Sequence, residues 1–245
     1  MVRDGRRLSW LAATGDLLLG ARCAACLRPW WGLCPGCRAA LRTRTGRLAR
    51  PTPCPEGFPI TATAGDYDLA MRRLIVAHKE RQALALAPVL GELLAVACWH
   101  LLRVRDDEAP IPAGPLTLVP VPSAPAAVRA RGYDATATLA RRAARLLRPA
   151  GPVRVRRLLR HSRTVHDQSG LDAVERRRNL ADSLLVRDVA TTLAATATGL
   201  GPVIIVDDLV TTGATLSEAD RALTVAGITV LGAATIAATR RLIAN

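Results

Sequence analysis

The chain is poor in aromatic side chains and in lysine. Its 245 residues include one Phe, two Tyr and four Trp, so aromatic residues make up only 3%. The core must therefore be built from Ala, Val, Leu and Ile, and an extended aromatic platform for stacking nucleic-acid bases is not expected. Lysine occurs once, at Lys79, although lysine and arginine together number 34. Where arginine is the usual cation, a single lysine indicates a position that needs a compact, rotatable ammonium group.

Two common phosphate-binding motifs are also missing. The sequence contains neither G-x-x-x-x-G-K-[ST] nor G-x-G-x-x-G after a strand, so neither a P-loop nucleoside triphosphatase nor a dinucleotide-binding domain is supported. A receiver domain does not fit either, because it needs an acidic pair near its first strand and a lysine after a late one.

Positive charge dominates the composition, with a formal net charge of +14 at pH 7. Such a balance favours polyanionic partners, which include nucleic acid, phosphorylated metabolites and acidic membrane surfaces. Because arginine is abundant throughout the chain, a solvated basic surface is the plain alternative.

The long apolar segments do not indicate secretion or membrane insertion. Asp16 and Arg22 interrupt the first apolar stretch, so we expect no signal peptide. Two runs with few charges, at 83–102 and 222–239, are broken by proline, glutamate or glycine, which favours a core helix and a helix followed by a strand over transmembrane segments. We therefore predict a cytoplasmic protein.

Four cysteines near the start form two C-x-x-C pairs, Cys23 with Cys26 and Cys34 with Cys37, separated by seven residues. Four thiolates on two tight turns suit one tetrahedral zinc ion. Disulfides are the alternative, but they require an oxidising compartment that nothing else indicates. A set of four cysteine ligands leaves no coordination position open, so we expect structural zinc that holds a small N-terminal module together. Cys54 is left as an alternative ligand.

After the cysteines the pattern changes. Residues 38–59 indicate an irregular linker, and strand-like and helix-like segments alternate from there on. This alternation predicts an α/β fold with a mainly parallel, twisted sheet flanked by helices. We expect a four-cysteine zinc module within 1–58 and a larger α/β domain at 59–245. The predicted strands are 60–67, 116–121, 153–159, 183–186, 202–206 and 228–238; the predicted helices are 69–79, 82–102, 135–147, 171–180 and 215–226, with a turn-rich connection at 103–115 and a basic loop at 161–170.

The most informative stretch is VIIVDDLVTTGATL, residues 203–216. Residues 203–206 are apolar on both faces, as in a central parallel strand. Asp207 and Asp208 follow at the carboxyl end, where such sheets bind ligands. Two adjacent carboxylates accept hydrogen bonds from neighbouring hydroxyls of a sugar, or help to organise a hydrated Mg²⁺ ion.

Small residues, several of them with hydroxyl groups, then open a helix. Exposed backbone N–H groups, hydroxyls and the positive end of the helix dipole converge there and suit a phosphate monoester. An acidic pair beside a phosphate cradle predicts a ribose 5-phosphate ligand, while a strand end with a capped helix is the alternative without a ligand. The residues of this loop are Val210, Thr211, Thr212, Gly213, Ala214 and Thr215.

The same stretch resembles the phosphoribosyl-pyrophosphate (PRPP) binding motif of type I phosphoribosyltransferases. The four-cysteine opening, VPVPSAPAAVRARGYDATATLA at 119–140 and RTVHDQSGLDAVERRRNL at 163–180 occur in the order typical of the ComF family. These competence-associated, phosphoribosyltransferase-like proteins include the GntX-type relatives. The resemblance covers nearly the whole chain and implies a type I phosphoribosyltransferase fold and a link to DNA uptake.

The resemblance also implies roles for individual residues. Asp207 and Asp208 would bind the ribose hydroxyls and take part in catalysis, the loop at 211–215 would hold the 5-phosphate, and Mg²⁺ would accompany PRPP. The turn at 119–123, which includes Pro122, would approach the pyrophosphate. Further residues expected near the substrate are Lys79, Arg81, Arg129 and Arg131 and, from a basic loop that closes over the substrate in related enzymes, Gln168, Arg176 and Arg177. A solvated face is the alternative for the arginines.

The sequence departs from the family pattern at one informative place. The family usually has an Asn-Gln pair after its Arg-Gly-aromatic turn, whereas this chain has Asp134 and Ala135. The acceptor of an enzymatic reaction therefore stays open. The sequence does not specify the oligomeric state either. Three functions remain: an active phosphoribosyltransferase, a single-stranded-DNA-binding or regulatory protein of the DNA-uptake machinery built on an inactive fold, and a zinc-stabilised scaffold without a small ligand.

Overall fold

Alternating strands and helices build an α/β structure, which the computed structural model describes for residues 22–111, 113–162, 183–187 and 200–239. Within these ranges the helices are α1 Pro35–Arg42, α2 Leu69–Glu80, α3 Ala87–Glu108, α4 Pro125–Arg131, α5 Ala135–Leu147 and α6 Ala214–Val225. The strands are β1 Arg47–Leu48, β2 Thr61–Thr63, β3 Leu116–Pro120, β4 Val153–Val155, β5 Leu159–His161, β6 Leu184–Val186, β7 Val203–Val210 and β8 Val230–Ala238.

Among the described strands, six form one sheet in the order β1-β2-β8-β7-β3-β4. All neighbours are parallel except β1, which runs antiparallel to β2. Strands β5 and β6 form a separate antiparallel pair. The predicted α/β architecture with a mostly parallel sheet is thereby confirmed.

Apolar side chains of the central strands point alternately to the two faces of the sheet. Ile204 and Val206 lie in a core shared with α3 and α5, whereas Val203 and Ile205 lie in a second core that includes residues of α6. All four are at most 1% exposed. Helices therefore cover both faces, which explains why the strand is apolar at every position before Asp207.

The strand order reverses between β3 and β7. From β3 the chain continues to β4 on one side, and from β7 it continues to β8 on the other. The two strands pair only from Thr117 with Val203 to Pro120 with Val206, while β8 accompanies β7 as far as Val210. The end of the β3–β7 pairing at Asp207, called the crevice below, is the kind of place where open α/β sheets bind their ligands.

The cysteine region packs directly on the large α/β part. Cys23, Leu33 and Leu41 belong to the same buried core as the side chains of α2 and α3. Arg73 on α2 donates a 3.0 Å hydrogen bond to the carbonyl of Ala25. Because β1 also joins the main sheet, residues 22–58 contribute to the central fold as well as to the cysteine cluster.

Several element boundaries differ from the sequence predictions. Helix α3 continues to Glu108, although residues 103–115 were expected to form turns, and an Arg105–Glu108 ion pair of 2.5 Å lies along its last turn. Oppositely charged side chains three or four residues apart stabilise an exposed helix end, so this part of the helix forms without the apolar pattern that would have predicted it. Helices α1 and α4 occur where no helix was predicted.

The predicted strand at 153–159 is in fact two strands. β4 ends at Val155, and β5 begins at Leu159, where it pairs with β6 instead of the main sheet. The sequence of residues 153–159 consists of apolar and basic side chains throughout, so it does not show that the chain leaves the main sheet and pairs with another strand. The predicted helix at 171–180 and most of the basic loop lie outside the described residues.

One described helical segment, Leu84–Glu108, is long and apolar enough to cross a membrane by length and composition. Of its most apolar stretch, 61% is buried within the protein. Leu90, Leu94 and Leu101 on this helix are fully buried. It therefore packs as a core helix, as the sequence indicated, and a cytoplasmic location stays a prediction.

Candidate functional site

Two adjacent carboxylates lie where the crevice opens. Asp207 is half-buried and Asp208 is 4% exposed. The backbone N–H of Asp208 donates a 2.8 Å hydrogen bond to Oδ1 of Asp207. Because neighbouring side chains on a strand point to opposite faces, Asp208 shares the face of Val206 and turns toward α2.

The lysine that the sequence singled out lies next to this pair. Lys79 Nζ, in the last turn of α2, donates a 2.9 Å hydrogen bond to Oδ1 of Asp208. Its side chain is 33% exposed. The other carboxylate oxygen of Asp208 is buried and has no hydrogen-bond partner within the described ranges. One oxygen is thus neutralised by lysine, and the other is left unsatisfied.

Burial and charge act differently on the two carboxyl groups. Burial raises the pKa of Asp207, and the neighbouring charge of Asp208 raises it further, so that it lies well above 3.8. Burial also acts to raise the pKa of Asp208, but the charge of Lys79 outweighs it and the pKa is lowered. For Lys79, burial acts to lower the pKa, and the charges of Asp208 and Asp207 reverse the shift. The site therefore holds its negative charge on Asp208.

The loop between β7 and α6 has a conformation that strongly favours glycine. Gly213 has φ = +79°, in the left-handed region. A Cβ there would lie 2.7 Å from Cε2 of Phe58 and 2.9 Å from Cγ of Pro51. Phe58 and Pro51 come from the segment that precedes β2, so this segment packs against the loop at Gly213.

The backbone of this loop presents unpaired donors. Within the described part of the chain, no acceptor contacts the N–H groups of Thr211, Thr212, Gly213 and Thr215. The Thr211 side chain is exposed, and those of Thr212 and Thr215 are partly exposed. Free amides at the start of a helix attract anions, and phosphate is one of the anions that such positions bind.

The opposite wall of the crevice is formed by the loop after β3. His161 Nε2 lies 3.1 Å from the carbonyl of Pro122. Ser123 Oγ donates a 3.1 Å hydrogen bond to Asp134, and Arg157 donates a 3.0 Å hydrogen bond to the other oxygen of the same carboxylate. Asp134 also caps α5 by accepting from the N–H of Ala137. This network fixes the loop beside the acidic pair.

Sequence reasoning did not identify Asp134, Arg157 or His161 as site residues. A signal existed for Asp134, because an aspartate directly before a helical segment is a typical N-cap. No local signal marks Arg157 and His161, since they reach the loop from the end of β4 and from β5 through the topology of the fold.

The other predicted site residues have different surroundings. Arg81 and Arg129 are exposed on the surface. Arg131, with a side chain 8% exposed, donates to the carbonyls of Lys79 and Ala127. Val210 and Ala214 are buried, so their side chains support the loop. Gln168, Arg176 and Arg177 lie outside the described residues.

The four cysteines form a compact cluster. The sulfur atoms of Cys23, Cys26, Cys34 and Cys37 all lie within 4.8 Å of one another. The Cys26 and Cys34 sulfurs are 3.8 Å apart, which equals the edge of a tetrahedron with metal–sulfur distances of about 2.3 Å. The cluster can therefore bind a metal ion such as zinc. Cys54 lies apart from it, with its sulfur 3.6 Å from the Pro55 carbonyl.

Backbone donors stabilise one thiolate of this cluster, whereas burial and the neighbouring cysteines raise the pKa of Cys37 to about 12. Burial acts to raise the pKa of Cys23, but N–H groups of Cys26 and Cys34 outweigh it and hold the pKa at about 6. Burial raises the pKa of Cys98 to about 12, as expected for a core thiol in α3. Cys23 therefore ionises readily, whereas Cys98 is inert.

A scan against models of known protein families found no match for this chain, and a search of curated proteins found none either. The fold and the site define an α/β protein with an acidic pair next to a helix N-terminus at a reversal of strand order.

Proposed function

We propose that this protein binds PRPP, or another ribose 5-phosphate, in the crevice between β3 and β7, and that it is a phosphoribosyltransferase-like protein of the ComF type. One observation carries the proposal: shortly after Asp207 and Asp208 comes a loop with four backbone N–H groups that have no partner among the described residues. Carboxylates accept hydrogen bonds from a sugar diol, and helix-terminal amides bind phosphate. A sugar phosphate carries both groups on one molecule.

The two walls of the crevice fit the two ends of such a ligand. The loop at 211–215 receives the 5-phosphate, and Asp207 and Asp208 receive the ribose hydroxyls. The loop after β3, fixed by Asp134, approaches the pyrophosphate, with Arg157 beside it. The partly exposed carboxylate of Asp207 is also the kind of ligand that Mg²⁺ prefers, and Mg²⁺ bound with PRPP supplies positive charge to the pyrophosphate.

The corresponding reaction class is displacement of pyrophosphate from C1 of the ribose. The bond between C1 and the pyrophosphate oxygen breaks, a bond from C1 to a nucleophile forms, and the nucleophile gives up a proton. Positive charge develops on the sugar during this exchange, and carboxylates fixed near the ring stabilise it. Asp208, kept negative by Lys79, is suited to that role.

We propose that the metal of the cysteine cluster is zinc and that its role is structural. Four thiolates fill a tetrahedral coordination sphere and leave no position for a substrate. The cluster shares the buried core of α2, the helix that carries Lys79, so its folding supports the site.

A second function, single-stranded DNA binding, is favoured by one feature of the cysteine region. Trp30 and Trp31, between the two cysteine pairs, are 49% and 53% exposed. Arg28 is exposed beside them. Adjacent indoles and a guanidinium suit stacked bases and phosphates. Replacing both tryptophans with Ala should weaken binding to oligothymidylate at least about tenfold, since stacking contributes ~1–3 kcal/mol per base. Trp99→Ala is the control, and equal weakening by it would reject this surface.

Isothermal titration of PRPP, with and without Mg²⁺, tests the principal proposal. The wild type should bind PRPP, and Asp207→Asn with Asp208→Asn should weaken binding at least about hundredfold, because the negative charge of Asp208 and one acceptor oxygen of each carboxyl group are lost. A matched control is Asp106→Asn with Asp107→Asn, an adjacent acidic pair on the surface of α3, which should keep wild-type affinity. Absence of binding by the wild type, or equal affinities for all three proteins, would refute the proposal.

A further inference from the structure

The single lysine of the chain reaches its partner from the very end of a helix. Lys79 is the penultimate residue of α2, and its Nζ lies 2.9 Å from Asp208 Oδ1. The chain then turns sharply, with Gln82 at φ = +54°. Arg81 and Gln82 are exposed. Ala83 N–H donates a 3.1 Å hydrogen bond back to the carbonyl of Ala77, whereas the two carbonyls nearer the helix end accept from elsewhere in the chain.

Two side chains from another part of the chain bind the end of α2. Arg131 donates a 2.9 Å hydrogen bond to the carbonyl of Lys79, and Tyr133 Oη donates to the carbonyl of His78. The last four carbonyls of a helix have no partner within the helix, so these donors satisfy groups that otherwise need water. Between them Gly132, at φ = +75°, ends α4 in the left-handed conformation.

Packing makes this attachment rigid. The Arg131 side chain is 8% exposed, and its Nε also donates to the Ala127 carbonyl at 3.1 Å. The ring of Tyr133 packs against that of His78, which is 1% exposed, with centroids 5.8 Å apart. One N–H of the guanidinium is thus engaged on α2 and another on α4, and the Glu80 carboxylate at the end of α2 lies 3.8 Å away as an ion pair.

We propose that Arg131 and Tyr133 are positioning residues, which hold the last turn of α2 so that Lys79 stays on Asp208. A lysine side chain has large rotamer freedom, and its ammonium group remains on one carboxylate only if its backbone is fixed. The consequence for PRPP rests on the proposed function, whereas the positioning itself is measurable without a ligand.

Because the chain has one lysine, reductive ¹³C-dimethylation labels only Lys79 and the N-terminal amine. We expect the Lys79 methyl signal to move in Asp208→Asn, and to move in the same direction in Arg131→Met and Tyr133→Phe. Tyr133→Phe removes a single oxygen atom, so this variant should melt close to the wild type even if Arg131→Met does not. Arg145→Met, an exposed arginine of α5, and Tyr67→Phe, the only other tyrosine, are matched controls that should leave the signal unchanged.

The proposal would be overturned if the Lys79 methyl signal did not move in Asp208→Asn. It would also be overturned if the signal moved in neither Arg131→Met nor Tyr133→Phe, or if the two control variants moved it equally. In titrations with PRPP, both positioning variants should bind about tenfold more weakly than the wild type. If the wild type itself does not bind PRPP, the proposed function is wrong, and the Lys79 signal alone decides the positioning role.

Discussion

Lys79 and Asp208 form a 2.9 Å ion pair although 129 residues separate them in sequence. The pair joins the end of α2 to β7 at the point where the crevice opens. Asp208 is nearly inaccessible to solvent, at 4% exposure, so its charge depends on this cation. The pair therefore links the stability of the fold to the charge of the site.

Removing the lysine should destabilise the protein. Lys79→Met leaves a buried carboxylate without its cation, which costs about 3–5 kcal/mol for a fully buried pair; we expect about 2 kcal/mol, because Lys79 is 33% exposed. Urea unfolding measures this cost. Lys79→Met combined with Asp208→Asn should recover part of the loss, and Arg103→Met, at an exposed position on α3, should cost almost nothing. A double variant less stable than Lys79→Met alone would contradict the pairing.

The two adjacent aspartates should affect stability with opposite signs. The folded-state pKa of Asp207 lies well above 3.8. The contribution of this carboxyl group to the free energy of unfolding is therefore full below pH 3.8 and is lost as the pH rises through the folded pKa. The pKa of Asp208 is lowered, so its contribution is present above pH 3.8 and is lost as the pH falls through the folded pKa. At pH 7, Asp207→Asn should melt above the wild type and Asp208→Asn below it.

Thermal melts between pH 3 and pH 8 test this difference. The upward shift of Asp207→Asn should shrink toward pH 3, where this carboxyl group is protonated in both states. The downward shift of Asp208→Asn should shrink only as the pH falls below 3.8, where the unfolded state takes up a proton before the folded state does. Asp107→Asn, an exposed change of the same kind on α3, should give no shift at any pH. Shifts of equal sign for the two site variants would show that their environments do not differ as described.

Much of the fold was predictable because its signals are local. Helix α5 has the predicted bounds, Ala135–Leu147, since its apolar residues recur at helical spacing after Asp134. The apolar run at 203–206 indicated a central parallel strand, which β7 confirms. Helix α4 and the separate β5–β6 pair were missed, because a seven-residue helix with no buried side chain leaves no apolar pattern and a change of partner strand is not encoded locally.

Substituting Gly213 should damage the loop for two separable reasons. Gly213→Ala introduces strain at φ = +79° and a Cβ 2.7 Å from Phe58. Gly227 has nearly the same φ, +76°, but a Cβ there meets nothing within 4 Å, so Gly227→Ala is a control for strain alone. We expect Gly227→Ala to lower the free energy of unfolding by about 1 kcal/mol, and Gly213→Ala to lower it clearly more, as measured by urea unfolding.

The PRPP affinities of the two glycine variants add a functional measure. Since Phe58 must move to admit the new Cβ, the loop amides shift, and Gly213→Ala should bind PRPP at least about tenfold more weakly. Gly227→Ala should bind like the wild type. Equal affinities for both variants would mean that the loop does not contact the ligand.

The cysteine cluster should hold about one zinc ion per chain, measurable by mass spectrometry of the metal. Cys34→Ser should lose the metal and melt at a lower temperature, because the cluster shares the core of α2 and α3. Cys54→Ser, which changes a thiol outside the cluster, should retain the metal and the melting temperature. A variant of Cys34 with full zinc content would show that the four thiolates do not act as one site.

The site was predictable only where its residues are contiguous in sequence. The acidic pair lies within β7, which continues past the predicted end at 206, and the loop at 211–215 follows it, so a single stretch indicated their chemistry. Arg157 and His161 belong to the site because β4 and β5 end near the loop after β3. Their contribution depends on strand order, which local patterns do not specify.

The central claim is that the acidic pair and the loop amides bind one sugar phosphate together. The most direct measurement is an amide NMR titration of the ¹⁵N-labelled protein with PRPP and Mg²⁺. We expect the signals of Thr211, Thr212, Gly213 and Thr215 to shift along with those of Asp207 and Asp208, and the whole set to stop responding in Asp207→Asn with Asp208→Asn. Shifts that leave these residues untouched while PRPP binds elsewhere would contradict the account.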